Sequence, residues 1–294
     1  MQETTFVIRS ADGTEVFCYR WSPPGPPRGI VQIAHGMGEH AARYRRVAEA
    51  LTGAGFVVYA NDHRGHGRTA GTPDRHGDLG PGGWQALVDD MGELERTARR
   101  EHPGRRLALF GHSMGSFALQ QFLLDHSADV DAAVLSGTSA VDVVAAVVDP
   151  NAEIDLSALN APFQPARTDF DWLSRDHDEV DKYIADPACG FGIDAAYATG
   201  MGSGLAPAAD PARLAAIRPD LPILVFSGDA DPLAGGGDLV RLVGQRYQDA
   251  GVRDVTVILY PGARHEILNE TNRDQVTADL LSFLARTIDT GDPA

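Results

Sequence analysis

The chain has 294 residues, 43% of them apolar and 22% charged, which suffices for one large core or two modest domains and excludes a disordered or fibrous chain. Twenty-five Lys and Arg against 41 Asp and Glu leave a formal net charge of −16, so a nucleic-acid backbone or an anionic membrane is repelled at long range. The two cysteines, Cys18 and Cys189, build neither a disulfide framework nor a metal-ligand spacing, and no uninterrupted apolar run approaches the ~18 residues of a membrane span.

Met1–Thr5 lacks the basic-then-apolar pattern of a leader, so the expected location is the cytoplasm, with no integral membrane association. Thr5–Ile8 and Val16–Trp21, separated by Ala11-Asp12-Gly13-Thr14, read as an antiparallel hairpin at a sheet edge. A turn-rich stretch, Pro23-Pro24-Gly25-Pro26-Pro27, admits no helix. Beyond it, apolar strands at Gly29–Ala34, Phe56–Asn61, Leu107–Gly111 and Ala132–Ser136 alternate with helical patterns near 41–54, 84–101 and 114–124. Strands apolar on both faces between helices predict an α/β fold, a mostly parallel sheet covered on both sides.

Between Thr138 and about Pro219 the regularity fails. Apolar patches at Val141–Val148, Trp172 and Val180–Ile184 are broken by Pro150, Pro162, Pro165 and Pro187. We read an insertion over 139–219 within a core formed by 1–138 and 220–294. The Val141–Val148 run is the kind of surface that receives an acyl chain, although packing onto the core explains the same letters. Strands resume at Ile223–Ser227 and Val255–Tyr260, with helices near 239–249 and 271–288. Gly235-Gly236-Gly237 is not positioned as a phosphate loop.

Gly111-His112-Ser113-Met114-Gly115 follows a strand and precedes a helix, which places Ser113 on a G-x-S-x-G nucleophile elbow. Side chains at the two glycine positions would collide with the neighbouring strand and helix. In such folds the acid and the histidine follow on loops after later strands. The acid lies in Ser227-Gly228-Asp229-Ala230-Asp231-Pro232, where Asp229 is placed to cap the turn and Asp231, stiffened by Pro232, is better placed to reach a histidine. His265, just after the last strand, supplies the base that a serine hydroxyl needs. An oxyanion hole would come from the backbone N–H of Met114 and that of Met37, in His35-Gly36-Met37-Gly38. For an unperturbed imidazole, activity would fall below a pH of roughly 6.5.

His35-Gly36-Met37-Gly38-Glu39-His40 with Arg43-Tyr44, then Asp62-His63-Arg64-Gly65-His66-Gly67, the elbow, Asp229–Pro232 and Tyr260–Glu266 occur in one order. In that order the chain resembles the α/β-hydrolases of the monoacylglycerol lipase and lysophospholipase group. The resemblance implies Ser113, Asp231 and His265 as the triad, 139–219 as a helical cap, and a small-molecule ester substrate with one acyl chain. Ser116 departs from the glycine often found there.

His35, His112, His63 and His66 match no common zinc spacing, and His35 and His112 are expected to brace the oxyanion loop and the elbow. Asp62 and Arg64 are expected to pair and shape their loop, whereas Glu39, His40 and Arg43 either line the site or begin a helix. No metal and no cofactor is implied, and with one lysine, Lys182, a Schiff base has little support. The alternatives are a short-chain esterase, another triad chemistry such as a lyase, perhydrolase or lactonase, and a binding protein without turnover.

Overall fold

The structure, a computed structural model, describes residues 1–145, 155–193 and 195–291. Its strands are β1 (Gln2–Arg9), β2 (Glu15–Ser22), β3 (Gly29–Ala34), β4 (Phe56–Asn61), β5 (Leu107–His112), β6 (Ala132–Ser136), β7 (Ile223–Gly228) and β8 (Val255–Tyr260). They form one eight-stranded sheet in the order β1-β2-β4-β3-β5-β6-β7-β8. The β1–β2 hairpin pairs antiparallel and β2 joins β4 antiparallel; every later pairing is parallel. The hairpin strands run longer than the apolar pattern, because ladder pairing continues from Gln2 opposite Ser22 to Arg9 opposite Glu15.

The helices are α1 (Arg45–Gly53), α2 (Gly67–Ala70), α3 (Gly83–Glu101), α4 (Met114–His126), α5 (Val141–Ala145), α6 (His177–Ala185), α7 (Ala195–Leu205), α8 (Pro211–Leu214), α9 (Asp238–Asp249) and α10 (Arg273–Thr287). The helical pattern near 41–54 opens as a 3-10 turn, Ala41–Tyr44, before α1. Strand residues alternate between two cores, as a two-residue side-chain period requires. On β4, Val57 and Tyr59 join α3, α4 and α9 on one face, while Val58 and Ala60 join α1 and α10 on the other. α10 buries Val276, Leu280, Phe283 and Leu284, spaced as one helical face.

Between β6 and β7 the chain leaves the sheet for α5, a 3-10 segment Leu156–Phe163, α6, α7 and α8. A separate small cluster forms there from Leu156, Trp172, Leu173, Val180 and Tyr183. α7 contains three glycines in its sequence AAYATGMGSGL, each of them about 1 kcal/mol less favourable than alanine in a helix interior. No helix among the described residues is long and apolar enough to cross a membrane.

The loops after β3, β5, β7 and β8 leave the carboxyl edge of the sheet, where open α/β sheets place their ligands.

Candidate active site

β5 ends at His112 and α4 begins at Met114, so a single residue reverses the chain. That residue, Ser113, has φ 52° and ψ −122°, and among the described residues no other non-glycine has positive φ. Such strain typically amounts to 1–3 kcal/mol and persists only where neighbours over-determine it. Here the Ser113 N–H donates to the Ser136 carbonyl at 2.9 Å, and the Ser113 carbonyl accepts from the N–H groups of Ser116 at 2.8 Å and Phe117 at 3.0 Å. The hydroxyl of Ser116 also donates to it at 2.7 Å, so the departure from glycine at 116 is absorbed by a hydrogen bond. A Cβ at Gly111 would stand 2.4 Å from the Gly115 carbonyl oxygen, and one at Gly115 would stand 2.2 Å from that of Ala34. Both glycines are therefore required by close approach.

Asp231 and His265 come together across 34 residues. Asp231 Oδ2 accepts from Nδ1 of His265 at 2.8 Å; its Oδ1 accepts from Leu233 N–H at 2.9 Å, and Ser227 Oγ donates to Oδ2 at 3.2 Å. With Nδ1 carrying the proton, Nε2 is left as the basic nitrogen. Asp229, the competing aspartate, is engaged elsewhere, accepting from Gly262 N–H at 2.6 Å. Burial pushes the His265 imidazolium down, but the charge of Asp231, its hydrogen bond and the charges of Glu266 and Glu39 outweigh burial and leave the pKa raised. The neighbouring ring of His112, 4.8 Å away between centroids, is pushed down to about 4 by burial and by His265, so it stays neutral.

Met37 lies between Gly36 and Gly38 on the loop after β3, and Met114 opens α4, where N–H groups lack intrahelical acceptors. His35 braces that loop as expected: its Nε2 accepts from His63 N–H at 2.9 Å, so Nδ1 donates to the Gly36 carbonyl at 2.7 Å. Glu39 Oε1 accepts from Gly36 N–H at 2.6 Å and from the Tyr44 hydroxyl at 2.8 Å. Arg43 bridges Glu39 Oε2 at 2.6 Å and both oxygens of Glu266, at 2.6 and 2.8 Å. Burial raises both carboxyls, but Arg43 foremost keeps them below the usual carboxylate range. From the insertion, the Tyr183 hydroxyl and Gly190 N–H donate to the Gly38 carbonyl at 2.8 and 2.9 Å.

Ser113 and His265 open on one cavity of about 570 Å³, within the usual range for small-molecule sites. Met37, Phe117 and Leu233 contribute to its walls, as do Val141, Val144, Leu156, Leu159 and Trp172 from the segment between β6 and β7. Part of the Val141–Val148 run thus faces the cavity, while residues 146–148 lie outside the described residues. A small chamber of about 20 Å³, room for about one water, adjoins through the shared walls of Glu39, His112 and Glu266.

Three features escape the sequence reading. Trp172 packs at a tilt against the His265 ring, 4.8 Å between centroids, and its carbonyl accepts the His265 N–H at 3.3 Å. Glu266 is the second anion of the Arg43 cluster, a role that its place next to His265 hints at. Asp62 and Arg64 do not pair, which corrects the expectation. Asp62 accepts from the N–H groups of Ala41 at 2.9 Å and Arg68 at 2.8 Å, whereas Arg64 bonds Asp90 and Asp12, each at 2.6 Å. Asp62 is consumed by the turn that follows it, so Arg64 finds its anions on α3 and in the β1–β2 turn.

Of metal-ligating groups, His40, Asp186 and Cys189 bring one atom each within 4.8 Å of one another. His40 Nε2 and Asp186 Oδ2 already share a 2.9 Å hydrogen bond, and burial raises the Cys189 thiol pKa, which disfavours the thiolate a metal requires.

A protein-family model described as serine aminopeptidase, S33, matches residues 25–272. The chain is 36% identical over 273 residues to a monoacylglycerol lipase of Mycolicibacterium smegmatis, covering 90% of each. It is 30% identical over 272 residues to a monoglyceride lipase of Mus musculus, covering 89% of this chain and 83% of that protein. Among solved structures, it superposes on a thermostable carboxyl esterase from Bacillus coagulans, solved with glycerol, with TM-score 0.86 and 28% identity over 98% of this chain and 99% of that one.

Proposed function

The chain belongs to the monoacylglycerol lipase family of α/β-hydrolases, and on that footing we propose that it hydrolyses carboxylic esters of single acyl chains, monoacylglycerols first among them, through an acyl-enzyme on Ser113. The observation that carries this reading is the common cavity: a strained, outward-set serine and a histidine oriented by Asp231 open on the same apolar space.

In the proposed sequence, Ser113 Oγ attacks the ester carbonyl while His265 Nε2 takes its proton. Asp231 holds the ring in that tautomer and stabilises the imidazolium. The N–H groups of Met37 and Met114 receive the negative charge on the carbonyl oxygen, a contribution of about 3 kcal/mol for each well-placed donor. His265 returns the proton to the departing alcohol oxygen as the C–O bond breaks. Water, deprotonated by the same nitrogen, then cleaves the acyl-enzyme to release the acid and restore Ser113.

We read residues 139–219 as a cap that supplies the far wall of the acyl space, and the free thiols Cys18 and Cys189 fit a reducing cytoplasm. A panel of monoacylglycerols, lysophospholipids and short p-nitrophenyl esters, run beside Ser113→Ala and a fluorophosphonate label, tests the reading. The expected result is turnover of monoacylglycerols, with activity falling roughly 10³-fold or more and labelling lost in Ser113→Ala, because nucleophile, base and acid act as a unit. Retained turnover or labelling in that variant overturns it.

A further inference from the structure

α7 holds glycines at 200, 202 and 204, and the structure accounts for them differently. A Cβ at Gly204 would stand 2.2 Å from Gln121 Oε1 and 2.8 Å from the Trp84 indole, so close packing excludes a side chain there. One at Gly200 would meet Trp84 Cβ at 3.6 Å, an ordinary contact on the same face. A Cβ at Gly202 would meet nothing within 4 Å, although Gly202 lines the cavity, as does Ala198 one turn earlier. Gly202 has no positive φ to require glycine. Glycine weakens a helix interior relative to alanine, so this position accepts a penalty that neither backbone geometry nor packing explains. What it provides is open space in the acyl cavity.

We propose that Gly202 is a specificity-determining residue that keeps the cavity deep enough for long acyl chains. The inference rests on the acyl-ester reading above. Its reach follows from α4, which carries Ser113 at one end and, eight residues on, Gln121 against α7. At ~1.5 Å per residue this part of α7 lies about 12 Å along α4 from the nucleophile. A butyryl group does not span that distance; a palmitoyl group does. A leucine at 202 would fill the space where the distal methylenes lie.

The test compares kcat/KM for p-nitrophenyl palmitate and p-nitrophenyl butyrate in wild type, Gly202→Leu, Gly202→Ala and Gly200→Ala, with Tm measured for each. Each methylene denied contact with the wall lowers transition-state binding roughly four-fold, so Gly202→Leu should lower the palmitate-to-butyrate ratio roughly ten-fold or more. Gly202→Ala should shift it in the same direction by less, and Gly200→Ala should leave it at the wild-type value. Because glycine is replaced by a better helix former, Tm should hold or rise. An unchanged ratio in folded Gly202→Leu, or an equal shift in Gly200→Ala, overturns the role of Gly202 and leaves the esterase reading standing. Wild type inert toward both esters overturns that reading and the inference with it.

Discussion

His265 titrates in a setting where burial pulls its pKa down and Asp231, with Glu266 and Glu39 behind it, pulls it up and prevails. As the proposed base, His265 works only when neutral, so kcat/KM is expected to fall as pH drops through a value above the roughly 6.5 of an ordinary imidazole. Asp231→Asn removes the largest of the raising charges and leaves burial opposed only by Glu266 and Glu39, so the acid limb should move to lower pH while the rate falls on the order of 10⁴-fold. A pH profile of both proteins checks this; an acid limb that stays in place in the variant would show that Asp231 is not what sets it. The sign for stability is the reverse. A raised pKa in the folded state contributes stability that is fully present below the unfolded value and is lost as pH rises through the folded one. The charged state that stabilises the fold is thus the one that cannot act as base. Of this site, Ser113, Asp231 and His265 were legible as residue types at characteristic distances from strand ends. Trp172 beside the imidazole and Glu266 on Arg43 were not, since these contacts join segments separated by 93 and 223 residues.

At the scale of elements, buried charge fastens the pieces around the sheet. Arg64, on the loop after β4, reaches Asp90 on α3 and Asp12 in the β1–β2 turn, with 1% of its side chain exposed. Arg64→Leu would leave the carboxyl of Asp90 buried without its partner, and we expect denaturant unfolding to report a loss of about 3–5 kcal/mol. Asp12→Asn, at a side chain 30% exposed, should cost at most about 1 kcal/mol. Equal losses in the two variants would mean that the ion cluster is not centred on Asp90. The segment between β6 and β7 is fastened by hydrogen bonds: α6 and the chain after it hold the loop after β3 through Tyr183, Asp186 and Gly190. Elements with a clear hydrophobic period, β4 and α10 among them, were readable almost residue by residue. The insertion was not, because its short helical pieces bury only a small cluster of their own and take their places from contacts with the core.

Over the whole molecule the net charge of −16 governs which surfaces it approaches. Hydrolysis of monoacylglycerol carried in phosphatidylglycerol-containing vesicles should be slower than in phosphatidylcholine vesicles at low ionic strength, and the gap should close above ~0.1 M salt, where screening acts within about 10 Å. Equal rates at low salt would show that a local surface, not the net charge, controls access. The alternation of apolar strands and amphipathic helices was enough to determine a parallel sheet and its covering layers, because burial on two faces leaves a sequence few other ways to fold. The order of the serine, acid and histidine motifs after successive strands likewise pointed to their meeting at one sheet edge. The partners of Arg64, the Glu39–Arg43–Glu266 cluster and the shape of the apolar cavity became visible only in three dimensions. Each depends on which distant side chain arrives first at a buried charge or an open space, and no local pattern encodes that competition.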